Sequence, residues 1–242
     1  MKYNTVMTTN IKRFLLTLII LLITAVSAFS GDVFFPTSKG TVLLIANLNS
    51  NGRVDNYNRL TVRDTSESGS NMKVVYSIQI LDRNRAPVRN TNEREYSVNI
   101  SDGVLMYPLD NIMDPFFAAK GFKYTMTASN VLIPSTMTAG SRIEDAWMKM
   151  IINVPIVGTV TANVAMTDLV CTGVETVTVP AGTFEAYKVA QVTTTTTIGW
   201  PSPTIVNRGI SWYVKGLGVV KSVNYDSKGR LESASELHEL TK

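Results

Sequence analysis

Nucleophilic catalysis needs a base within reach of a serine, threonine or cysteine, and the sequence holds a single histidine and a single cysteine. His238 lies between Glu236 and Glu239, close to the C-terminus, in a polar stretch that reads as a solvated strand end. Cys171 stands between Val170 and Thr172 with no histidine nearby in sequence, and reads as a small buried apolar residue. The acids come in pairs: Asp110 and Asp114 at helical spacing, Glu144 beside Asp145, and Glu93 with Glu95. None has the interleaved oxygens of a calcium loop or the clustered ligands of a zinc site. Neither the phosphate-binding loop nor the dinucleotide fingerprint occurs. Two carboxylates meeting from distant strands remain a formal route to glycoside hydrolysis, but no spacing marks such a pair. The expectation is therefore no catalytic residue, no metal and no cofactor.

Methionine is the one chemically suggestive residue type. Met126, Met137, Met148, Met150 and Met166 fall on apolar faces, and the flexible, polarisable thioether adapts to varied ligands. Met126, Met148, Met150, Ile152, Val164 and Met166 together form a candidate apolar groove. The competing reading is a core covered by the protein's own loops.

Strands must position these residues. Met72, Val74, Tyr76, Ile78 and Ile80 alternate with polar neighbours, as do Tyr96, Val98 and Ile100. Met148, Met150, Ile152, Val154 and Ile156 share one face, and after Gly158 the parity continues through Val160, Ala162, Val164 and Met166. Ile210, Trp212 and Val214 alternate with Ser211, Tyr213 and Lys215, which predicts that the tryptophan side faces the core. Asn49-Ser50-Asn51-Gly52 and Asp226-Ser227-Lys228-Gly229 read as hairpin tips, with Pro180-Ala181-Gly182 turning similarly. Thr193–Thr197 reads as strand, since a branched Cβ suits the pleat. Helical signal is thin: a short piece in Asp110–Lys120, which Pro115 interrupts, and one turn over Ser141–Trp147.

The chain also reads as exported. Lys2, Lys12 and Arg13 precede a charge-free apolar run, Phe14–Ala28, that ends in the small residues Val26-Ser27-Ala28. This is the pattern of a signal peptide over residues 1–28, with a cut after Ser30 as the near alternative. Removing it lowers the basic residues from 23 to 20 against 19 acids, so the net charge falls from +4 to +1. The basic balance thus belongs to the leader, and the scattered Lys and Arg give no nucleic-acid footprint. No transmembrane span is expected after cleavage, and one thiol makes no internal disulfide. Residues 29–242 are expected to form a single antiparallel β domain.

Four segments carry a family resemblance: Phe35-Pro36-Thr37-Ser38-Lys39-Gly40-Thr41; Val179-Pro180-Ala181-Gly182-Thr183-Phe184 followed by Tyr187-Lys188-Val189; Trp212-Tyr213-Val214-Lys215-Gly216-Leu217-Gly218-Val219-Val220-Lys221; and Tyr225-Asp226-Ser227-Lys228-Gly229-Arg230-Leu231. They resemble the TapB-like family of exported proteins of unknown function. The resemblance implies a large meandering antiparallel sheet curled into a half-barrel, similar to the YmcC-like fold and loosely to periplasmic lipoprotein carriers. One or two short helices or loops would cover the concave face. It carries over no catalytic residue. The motif reads as structural, with Pro180 and Gly182 closing a turn, Phe184 plugging the core, and Gly216 and Gly218 turning the chain after the Trp212 strand. The functional expectation is an all-β, non-catalytic envelope protein in the periplasm or on the cell surface, binding an apolar or lipid-like ligand or a partner segment. The alternatives are a scaffold pairing with another envelope protein through strand edges, and a hydrolase with an unrecognised site.

Overall fold

The computed structural model describes residues 33–88, 92–111, 114, 123–154, 158–199 and 204–242. The leader lies outside these residues, as does most of the loop 112–122 that the sequence offers as a cover. Thirteen strands follow in order: β1 Val42–Asn49, β2 Val54–Ser68, β3 Asn71–Leu81, β4 Arg94–Ser101, β5 Val104–Pro108, β6 Lys123–Ala128, β7 Asn130–Pro134, β8 Ala146–Val154, β9 Gly158–Val179, β10 Gly182–Ile198, β11 Thr204–Val214, β12 Gly218–Tyr225 and β13 Leu231–Thr241. They make one antiparallel sheet in the order β6-β8-β9-β10-β11-β12-β13-β1-β2-β3-β4-β5-β7, nearly closed into a barrel with one open seam.

Local turn chemistry sets this meander. At three tips an Asn or Asp oxygen accepts two backbone N–H groups. Asn49 Oδ1 takes those of Asn51 and Arg53, Asp82 Oδ1 those of Asn84 and Ala86, and Asp226 Oδ1 those of Lys228 and Arg230. Each replaces a bond that the bent backbone cannot make to a neighbouring strand. The shared device explains why the β1–β2 and β12–β13 tips look alike in sequence.

The seam lies where β6 passes into β7. These two are one extended segment that changes partners at Ser129: β6 pairs with β8 and β7 with β5. Ser129 N–H donates to the Trp147 carbonyl (2.9 Å), Trp147 N–H donates to Ser129 Oγ (2.9 Å), and Leu109 N–H donates to the Ser129 carbonyl (3.2 Å). Beyond that crossing β5 pairs only with Asn99–Ser101 of β4. Arg94–Val98 therefore face the seam, and a side chain bridges it. Asp114 accepts from Tyr96 of β4 at 2.7 Å and from Tyr124 of β6 at 2.5 Å, with the Arg94 guanidinium at 3.1 Å.

Two expectations need correction. Ser141–Trp147 is not helical. Cys171 N–H donates to the Ser141 carbonyl and Ile143 N–H to the Leu169 carbonyl, and β8 begins at Ala146. Ladder bonds to β9 outcompete one isolated helical turn, whose nucleation is costly. The β11 parity is also reversed: Ser211 and Tyr213 line the interior, so Ile210 and Trp212 take the opposite face. There the indole N–H of Trp212 donates to Glu175 Oε1 at 2.7 Å, and the ammonium groups of Lys188 and Lys221 lie 5.6 and 5.4 Å from its ring centroid. On that outer face the indole is still buried, at 8% exposure, beside a carboxylate and two cations.

Candidate functional site

The interior is filled first by Val33–Phe35, the first of the described residues. Val33, Phe34 and Phe35 are buried to 5% exposure or less, inside the sheet rather than in it. Phe34 stands edge-on to Tyr187 of β10 and Tyr213 of β11, and Phe35 edge-on to Tyr76 of β3. Their backbone is held by the β11–β12 turn: Gly216 N–H donates to the Val33 carbonyl at 2.7 Å. Gly218 has φ +86°, and a Cβ there would lie 3.2 Å from the Phe34 carbonyl oxygen. Farther along, Thr65 Oγ1 donates to the Thr37 carbonyl at 2.6 Å. The motif Trp212–Lys221 thus has a task beyond turning the chain. It clamps the plug, and only glycine permits both the left-handed φ and the close approach.

The other half of the motif seals one end. Pro180 and Ala181 turn β9 into β10, and Ala181 N–H reaches across to the Leu237 carbonyl of β13 at 3.2 Å. Phe184 packs, half-buried, against the core beside the turn, and its ring lies 3.5 Å from where a Cβ on Gly182 would stand.

The plug leaves a cavity of about 340 Å³ beside it. Phe34, Phe35, Leu43, Leu60, Leu105 and Ile133 form its apolar depth. Along β11 the inward positions change from Tyr213 beside Phe34, to Ser211, to Gly209. Gln191 of β10 and Asn224 of β12 flank Gly209 in register. Ser222 pairs with Ser211, and the register shift between Trp212 and Tyr213 lets both Val219 and Ser222 reach the wall. One end of the cavity is therefore apolar and deeply buried, and the other is polar. None of the described residues that line it carries a formal charge. Burial pushes the Tyr213 phenol up to about 12, with Tyr107 adding to it, so Tyr213 stays neutral at physiological pH.

Of the six groove residues expected from sequence, Met166 lines this cavity. Met148, Met150 and Ile152 are buried at 2, 4 and 8% exposure in the shared core, with Met126 and Val164 packed against it. They form cross-strand rows, Met126–Met150–Ala162 and Met148–Val164. The same-face expectation holds for Met148–Ile152 of β8 and Val160–Met166 of β9, while Ile156 lies outside the described residues, and these side chains occupy the interior. The polar wall and the Phe34 plug were the residues that sequence reasoning did not assign. The recurrent small polar positions on β10–β13 were the available signal for the wall.

Among the described residues, no group of three or more His, Cys, Asp or Glu is placed to hold a metal ion. Cys171 is fully buried with its Sγ 3.7 Å from the Gly173 carbonyl. His238 packs edge-on against Tyr57, with a buried Nδ1 that has no hydrogen-bond partner. The seam is the strongest titratable cluster. Burial works against ionisation of Asp114, but hydrogen bonds from Tyr124 and Tyr96 and the Arg94 charge outweigh it and hold its carboxyl below the usual range. Tyr124 is pushed up to about 12 by burial and by its bond to Asp114. This cluster reads as a tie across the seam. No described helix is long and apolar enough to cross a membrane, which leaves strands unaddressed.

The strand order and plugged interior define a class: a nearly closed antiparallel barrel whose lumen takes in Val33–Phe35, the segment that precedes the first strand. The DUF3108-like family model matches residues 38–237, and the chain belongs to that family. A Bacteroides fragilis protein, described as exported and as having a YmcC-like fold, is similar over 87% of this chain and 99% of its own, with 23% identity and a TM-score of 0.71. A protein of Parabacteroides distasonis, described as a lipoprotein, is similar over 86% of this chain and 98% of its own, with 20% identity and a TM-score of 0.72. No curated protein matches the sequence. The YmcC-like architecture implied by the sequence resemblance is thus the observed one.

Proposed function

We propose that this is an exported envelope protein that holds one small apolar chain in its lumen, alongside the Phe34 plug. The observation that carries this reading is the 340 Å³ cavity, with a buried apolar depth and a polar end. That volume lies at the lower end of the range for small-molecule sites, roughly 300–1,000 Å³, and the mixture of apolar walls with a few convergent polar groups is typical of them. At roughly 30 Å³ for each water-sized group, it accommodates about eleven such groups, the size of a medium-length chain. Export is supported by the leader pattern and by the descriptions of the two structural relatives.

The test is native mass spectrometry of the protein purified from its own envelope, beside an Ile45→Trp variant that fills the cavity. An extractable apolar ligand on the wild type, absent from the variant, is expected. A ligand-free wild type that also takes up no added medium-chain lipid would overturn the reading.

A further inference from the structure

The polar end of the cavity says what kind of head the ligand carries. Gln191, Gly209 and Asn224 lie in one cross-strand row, with Ser211 and Ser222 in the next row inward. Gly209 has no side chain, and two amides converge on the space that this leaves. A Cβ there would lie 2.9 Å from Asn224 Oδ1 and 3.1 Å from Gln191 Nε2. Gln191 Cγ would lie 3.0 Å from the same position, so the missing Cβ lets the two amide side chains close over the Gly209 backbone, and an acceptor and a donor stand side by side at this end of the cavity. The Asn224 amide is oriented by its own bond, Nδ2 donating to Ser233 Oγ at 3.3 Å, and the Ser222 and Ser235 hydroxyls are 2.8 Å apart. Among the described residues, no cation or carboxylate lines this end.

From this arrangement we infer that the site takes an apolar chain ending in an uncharged hydrogen-bonding head, such as a hydroxyl or a primary amide. A hydroxyl gives one hydrogen to Asn224 Oδ1 and accepts one from Gln191 Nε2, so the acceptor and the donor that face the head are both paired. A carboxylate finds donors but no countercharge, and it also sets its negative charge against Asn224 Oδ1. An ammonium satisfies Asn224 and leaves Gln191 facing a cation. Either ion loses hydration without compensation. Gly209 is the determinant of specificity: alanine fits a strand without backbone strain, but its Cβ would crowd both amide side chains and push them away from the head. The inference rests on the lumen being a ligand site at all, and the experiment separates the two claims.

The experiment is calorimetric titration of delipidated protein at pH 8 with decanol, decanoate and decylammonium, repeated on Gly209→Ala and Gln191→Leu. Thermal melts serve as the control for folding. The expectation is that decanol binds at least about tenfold more tightly than either ion (about 1.4 kcal/mol), and that both variants melt as the wild type does but lose most of this preference. If all three ligands bind within about twofold of one another, the neutral-head assignment is wrong while the lumen remains a ligand site. If an ion binds more tightly than decanol, the assignment is overturned outright. If none binds, the lumen reading falls with it.

Discussion

The ring of Phe34 stands edge-on to that of Tyr187, with centroids 5.1 Å apart and planes at 76°. This one contact joins the first described residues to the middle of the sheet, and it turns an open concave surface into a filled lumen. Truncating the ring removes both the burial and the edge-to-face pairing. Phe34→Ala is therefore expected to cost about 3–5 kcal/mol, as buried aromatic deletions do. Urea unfolding checks this, with a lower midpoint and an unchanged slope expected.

The clamp on the plug should be sensitive to a single methyl. Gly218 and Gly229 have similar positive φ, +86° and +75°, but a Cβ at Gly229 meets nothing within 4 Å, whereas at Gly218 it meets the Phe34 carbonyl. Each alanine substitution carries the left-handed penalty of roughly 1–2 kcal/mol, and only Gly218→Ala adds a clash with the plug backbone. Gly218→Ala is expected to lower the melting temperature clearly more than Gly229→Ala. Equal shifts would show that the plug does not depend on this approach.

Asp114 makes the seam sensitive to acid in a defined direction. Its folded pKa is lowered below the unfolded value of about 3.9. Its contribution to stability is therefore fully present above that value and is lost as pH falls through the folded pKa. Asp114→Asn keeps the shape and removes the charge that Tyr96, Tyr124 and Arg94 share. The stability gap between wild type and variant should be largest near neutral pH and should close as pH falls below about 4. Melting curves across that range check the sign.

Much of this architecture was legible in the residues because strands write their period into the sequence. The row Met148–Val164, the threonine strand, and the Asn49 and Asp226 turns all lie where alternation and turn chemistry predict. Three features were not legible, each because a distant partner decides it. Ser141–Trp147 carries the capping pattern for one helical turn, yet β9 offers it a ladder. Trp212 reads as inward by hydrophobicity, but Glu175, two lysines and the need for Tyr213 beside Phe34 turn it out. Phe34 lies just after the expected cleavage region, where sequence gives no period to read, and its burial depends on glycines some 180 residues later in the chain.

The most direct test of the account is methyl NMR of the protein titrated with decanol. Leu43, Ile45, Leu60 and Ile133 line the cavity, while Leu44 and Leu48 belong to a separate apolar cluster with Tyr57 and Leu81. Saturable shifts confined to the first group, with contacts from the ligand chain to Phe34, are the expected result. Shifts at Leu44 and Leu48 instead, or no shift in either group, would contradict a ligand-holding lumen.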